Sequence, residues 1–165
     1  MAVQTSYDFV TRVALEGQID STSLLDLTSK SAEGTIPFGR AVVAGTNPDV
    51  QVILPSAATP AFYGVAARIV GLENPNPAPG ERTEYEATET AAVLKSGYIW
   101  VVTEVAVAPG DDVYYRFTAG AGGTEIGRFR NDADTATAGL IAGATFETTA
   151  AADSVVKIRI PAYAQ

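Results

Sequence analysis

The sequence predicts an all-β protein, a single β-sandwich or β-barrel-like domain with an extended N-terminal arm. Short runs rich in β-branched and aromatic residues recur after residue 34, and several alternate with period 2. Proline, glycine, asparagine and aspartate cluster between those runs, where chain reversals need fixed or positive φ. The chain has 165 residues, 47% of them hydrophobic and 18% charged, enough for one domain with a real core.

The runs are, in order, IPFGRAVV (36–43), VQVIL (50–54), FYGVAARIV (62–70), YIWVVTEVAVA (98–108), DVYYRF (112–117) and SVVKIRI (154–160). In DVYYRFT the alternation puts Val113, Tyr115 and Phe117 on one face, with Tyr114, Arg116 and Thr118 on the other. The first face packs and the second meets solvent or a neighbour. Turn chemistry separates the runs at GTNPD, LPSAATP, NPNPAPGE, APGDD and TAGAGG. Many short strands with regular turn signals read as a sandwich or barrel.

Three segments depart from this layout. Residues 1–33 hold apolar side chains without a sustained period and read as an extended or partly ordered arm, leaving 34–165 as the β-rich body. NPNPAPG (74–80) carries three prolines and reads as a stiff surface loop. Residues 131–139, NDADTATAG, read as a small-residue loop.

Composition excludes several function classes. Histidine and cysteine are both absent, which removes Ser-His-Asp and Cys-His nucleophiles, thiolate metal sites and disulfides. A net charge of −8 with scattered Lys and Arg argues against tracking a phosphate backbone. No apolar run reaches the roughly 20 residues of a membrane helix. The opening MAVQTSYDFVTR has no signal-peptide profile, so synthesis in the cytoplasm is expected.

The remaining routes to catalysis have weak candidates. Glu84 and Glu86 share a face if GERTEYEATE is extended, with Glu81 and Glu89 nearby, and a carboxylate pair is what glycoside hydrolysis uses. A solvated strand face or loop explains them better. Lys30 lies between Ser29 and Ser31, and Lys95 precedes Ser96, but sequence neighbours point apart and do not share a proton. Asp132 and Asp134 alternate like the start of a calcium loop, yet the later ligands and the closing glutamate are missing. GAGG (120–123) lies between two strand-like runs with no helix to receive an anion, so it reads as a hairpin turn.

The order of several blocks is similar to a known family. GTIPFGRAVV, VILPSAATPAFYGVAAR, the Glu-Tyr-rich entry into AAVLKSGYIWVVTEVAVAPGDDVYYRF, and IGRF with its Ala/Thr tract before VVKIRI resemble the structural cement, or capsid decoration, proteins of tailed bacteriophages. The resemblance implies a β-rich body on the outer surface of the expanded head. There it would act as a homotrimer that bridges neighbouring major capsid protein subunits, with no enzymatic activity, cofactor, metal, nucleic-acid or membrane role. It implies localisation to the virion after synthesis in the bacterial cytoplasm.

Assembly contacts are expected from the arm and the strand beside it, at Phe9, Val10, Leu24, Leu25, Leu27, Phe38 and Arg40. If 36–45 is extended, Phe38, Arg40 and Val42 share a face. Arg40 is then either a planar donor at a subunit joint or one half of an internal ion pair. A virion-surface adhesion or carbohydrate-binding module is the alternative function, and it expects an aromatic platform drawn from Tyr63, Tyr85, Tyr98 or Trp100. Trp100, inside YIWVV, fits a core position better.

Overall fold

The computed structural model describes residues 14–20, 25–56, 61–69, 83–119 and 125–162. Among them there is no helix, and eleven strands make up the body. They are β1 (Asp26–Ala32), β2 (Ile36–Pro37), β3 (Ala41–Ala44), β4 (Gln51–Ile53), β5 (Phe62–Ala66), β6 (Glu84–Tyr85), β7 (Thr90–Val102), β8 (Asp112–Arg116), β9 (Phe129–Arg130), β10 (Ala138–Phe146) and β11 (Val155–Ile160).

The long strand β7 organises the molecule. Its first half closes a ring in the order β1-β4-β3-β5-β7, because β1 pairs with both β4 and β7. Its second half pairs with β11 and continues through β10, β8 and β9. A parallel bridge from Phe129 to Thr103, just past β7, brings that second sheet back on itself. Closure hides sheet edges that would otherwise stay unpaired.

Side-chain parity sorts two cores from these strands. Ala32, Val42, Val52, Ala66, Ala91 and Val93 point into the five-stranded ring, joined by Ile36, Phe38 and Tyr85. The strand residues there are mostly small because so narrow a ring leaves little interior. The opposite face of the same strands, Ala41, Val65, Ala92 and Leu94, joins Ile99, Val101, Val113, Tyr115, Phe129, Ile141, Phe146, Val156 and Ile158 in the larger core. Along β7 the residues serving that core switch from even (Ala92, Leu94) to odd (Ile99, Val101). Gly97, at φ 131°, and the register shift opposite Asp26/Leu27 accommodate the switch.

Strand lies where the sequence suggested none in β1, in β10 and in the first half of β7, residues 90–97. β1 falls inside the expected arm, pairing with β7 from Asp26↔Ser96 to Ser31↔Thr90. Upstream, Gly17 donates to Trp100 O at 2.8 Å and Asp20 to Tyr98 O at 3.0 Å. The body thus begins before residue 34. The polar DLTSKSA sequence is legible as a strand only through β7, which supplies its ladder. β10 occupies the Ala/Thr tract and overlaps the end of the expected 131–139 loop, its Ile141, Ala144 and Phe146 being buried.

The run IPFGRAVV is two strands, not one. Gly39 takes φ 73°, and a Cβ there would come within 2.4 Å of Glu16 Cγ and 2.8 Å of Gly17 N, so only glycine fits. That bend breaks the expected alternation: Phe38 and Val42 enter the ring core while Arg40 points elsewhere. The proline stretch 74–80 and GAGG lie outside the described residues; the strands flanking GAGG, β8 and β9, pair antiparallel.

Candidate functional site

Polar side chains concentrate in two arginine centres, and neither forms a catalytic set. In the first, Arg116 on β8 is 1% exposed. Its Nε donates to Glu104 Oε1 at 2.6 Å, and its Nη2 to Glu104 Oε2 and Asp134 Oδ2, each at 2.7 Å. Its Nη1 reaches Thr137 Oγ1 at 3.0 Å and Thr118 O at 3.3 Å. All five guanidinium N–H groups are therefore used. Arg130 adds contacts to Asp134 at 2.7 Å, Asp132 at 2.7 Å and Glu104 at 3.3 Å.

The hydrogen bonds that Arg116 donates to Glu104, assisted by Asp134, outweigh burial and hold its guanidinium above its ordinary pKa. Asp134 moves the opposite way, its carboxyl held low chiefly by the hydrogen bond from Arg116. The alternating pattern of DVYYRFT had placed Arg116 on a face turned to solvent or a neighbour. Residues 131–137 fold over that face and bury it. Their backbone takes φ 39° at Asp134, 56° at Thr135 and 66° at Ala136, and the two arginines hold this strained turn in place. Asp132 and Asp134 accordingly serve as counter-charges, and no metal-binding group of carboxylates occurs among the described residues.

The second centre lies where residues 14–20 meet the ring. Arg40, 4% exposed, pairs with Glu125 and stands 3.6 Å from Glu16 Oε1. Among the described residues its Nε and Nη1 have no hydrogen-bond partner, and neither does Glu16 Oε1. Burial pushes the Glu16 carboxyl above its ordinary pKa against the attraction of Arg40, Arg128 and Arg68, with Glu125 adding to the rise. Burial likewise pushes Arg40 down against Glu16 and Glu125. Of the two readings of Arg40, the internal ion pair is the one observed.

The other candidates separate cleanly. Phe38 is 1% exposed and packs edge-on against Tyr85, with ring centroids 5.0 Å apart. Its side chain and that of Arg40 are thus spent inside the chain. Leu25 and Leu27 are exposed, at 36% and 44%. Phe9, Val10 and Leu24 lie outside the described residues.

Glu84 sits in the short β2–β6 ribbon opposite Pro37, and Glu86 is exposed beside it. Lys95 stands 5.3 Å over the Tyr63 ring. Tyr85 is fully buried, its OH donating to Ala67 O at 2.5 Å and accepting from Ala92 N–H at 3.2 Å. Trp100 is 9% exposed, with Nε1 donating to Asp20 Oδ1 at 3.0 Å. With both rings buried, the expected aromatic platform does not form around them.

What the described surface does offer is apolar. Six large hydrophobic residues are exposed, and four of them, Leu25, Leu27, Val50 and Ile53, lie on or next to β1 and β4. The arginine centres are the feature that composition could not locate, because Glu104 is 12 residues from Arg116 and Glu125 is 85 from Arg40 in sequence.

The chain matches a class of viral structural protein. The family model for structural cement protein (E217 gp24/Pam3 gp6) matches residues 3–161, so the chain belongs to the phage structural cement protein family. A chain from a structure titled "The capsid of Myoviridae Phage XM1" is similar to it, with TM-score 0.72, 21% identity, and 97% of this chain and 98% of that one covered. A second similar structure, "The crystal structure of head fiber gp8.5 N base in bacteriophage phi29", aligns at TM-score 0.49 and 12% identity, over 86% of this chain and 98% of that one. No curated protein matches the chain. The chain is a bacteriophage capsid structural protein that associates with capsid proteins, and its place is in the virion capsid.

Proposed function

We propose that this protein binds the outer surface of the expanded head as a homotrimer and stabilises it by bridging neighbouring major capsid protein subunits. The observation that carries this reading is the family match, which spans nearly the whole chain. A joint-spanning protein needs a rigid body and exposed contact surface, and no titratable cluster in a pocket. The closed β-body, its buried arginines and the exposed Leu25 and Leu27 suit that demand, with Phe9, Val10 and Leu24 as further arm contacts. Many copies on one shell also lower what each contact must supply.

Purified protein mixed with expanded and unexpanded capsids should sediment with the expanded shells alone, and light scattering should give three chain masses for the free protein. Sedimentation with neither shell overturns the bridging role, and a monomeric mass overturns the trimer.

A further inference from the structure

In an antiparallel ladder alternate residues turn their backbone groups toward the partner strand, and the residues between turn theirs away. Ser31 N–H, in β1, goes outward to Val50 O at 2.8 Å, and Glu33 N–H to Val52 O at 2.9 Å. The odd-numbered residues of β1 therefore face away from β7. β4 covers this edge only at Ser31 and Ala32. The outward N–H and C=O groups of Leu27 and Ser29 meet no partner among the described residues, which leaves a short open edge on an otherwise closed ring.

The surroundings of that edge are specific. By alternation Leu25, Leu27 and Ile53 share the outer face, with Val50 at the end of the loop beside them, so four of the six exposed large hydrophobics gather here. A shallow, mostly apolar groove lined by Ser96, Tyr98, Ile160, Pro161 and the exposed Arg159 opens where β1 begins, next to the Asp26↔Ser96 pair. The rim is acidic. Asp26 and Asp49 are exposed, and Glu33 keeps its carboxylate by accepting from Thr46 N–H at 2.7 Å and from its hydroxyl. The one cation of β1, Lys30, is tied to Pro48 O and Asp49 O and lies over Tyr63.

We infer that the open edge of β1 accepts, as an added strand, an extended segment of a shell subunit that is apolar at alternate positions and flanked by Lys or Arg. Main-chain bonds to Leu27 and Ser29 supply the pairing, and Leu25, Leu27 and Ile53 the apolar contact. The acidic rim selects basic flanks by charge complementarity. This rests on the cement reading and states where and how the shell is held.

Ser29→Pro tests the inference directly. It removes an N–H that points outward, so the β1–β7 ladder keeps its bonds, while the bond to an added strand is lost. Leu27→Lys tests the apolar contact, and Leu140→Lys, at a residue 52% exposed on β10, is the control. With thermal melts matching wild type, the first two variants should bind expanded capsids at least tenfold more weakly in a sedimentation titration, and the control as wild type.

Wild-type binding that survives both β1 variants overturns the strand-addition inference and leaves the cement reading standing. Wild-type protein that binds no shell overturns the cement reading itself. Should Ser29→Pro fail to fold, amide exchange on wild type decides. Leu27 and Ser29 should become protected on the shell, and unchanged exchange overturns the inference.

Discussion

Two buried guanidinium groups in one small protein are treated in opposite ways. Arg116 has every donor used, two carboxylates and a hydroxyl around it, and a pKa raised above the ordinary value. Arg40, nearly as buried, donates to Glu125, keeps Nε and Nη1 without a hydrogen bond among the described residues, and has its pKa lowered. At Arg116 the hydrogen bonds exceed the cost of desolvation; at Arg40 desolvation exceeds the attraction. Taking a charge from water is repaid only where geometry satisfies the remaining donors. The first centre therefore fastens the 131–137 turn to the body, whereas residues 14–20 are held mainly by backbone hydrogen bonds such as Gly17 N–H to Trp100 O and Arg68 N–H to Gly17 O.

The sharpest way to break this contrast is to remove Glu104. Its side chain is 2% exposed and faces both Arg116 and Arg130, so Glu104→Ala leaves two buried cations without it. The expected cost is about 3–5 kcal/mol, read as a Tm fall on the order of 10 °C. A loss under about 1 kcal/mol, typical of an exposed pair, places the network at the surface energetically and removes the contrast.

Where residues 14–20 meet the ring the largest effect is steric. Gly39→Ala puts a Cβ against Glu16 and Gly17 at a positive φ, and should cost about 1–3 kcal/mol. Denaturant melts measure it. Amide exchange at Gly17, bonded to Trp100 O, should rise with it if the strain loosens the residue 14–20 segment.

The smallest effect is the most diagnostic. Because Glu16 has a raised folded-state pKa, its contribution to stability is fully present below its unfolded value and is lost as pH rises through the folded pKa. Glu16→Gln should leave stability within about 1 kcal/mol of wild type at neutral pH and flatten the pH profile above the ordinary glutamate range. Asp134 works with the opposite sign, its contribution present above its ordinary value and lost as pH falls through the depressed one. An unchanged pH profile in Glu16→Gln shows that burial does not dominate at Glu16.

Much of the body is legible in the sequence. VQVIL, FYGVAARIV, YIWVVTEVAVA, DVYYRF and SVVKIRI all contain strands, since burial on one face of a pleated sheet writes itself as alternation of β-branched and aromatic side chains. Trp100 as a core residue was legible in the same way. β1 was not, because a strand with few buried side chains carries no period, and its position comes from hydrogen bonds to β7. β10 was obscured by small residues, whose burial in a tight space needs no bulk.

The amino-acid sequence by itself determined the fold class, the absence of histidine and cysteine chemistry, and the family. Tertiary structure alone decided that Gly39 splits the IPFGRAVV run, that Arg40 and Phe38 are spent internally, that Arg116 is buried, and that β1 leaves an edge open. The physical reason is separation. Period and turn chemistry are local and survive in sequence, whereas an ion pair or a strand edge is made by residues that only the folded chain brings together.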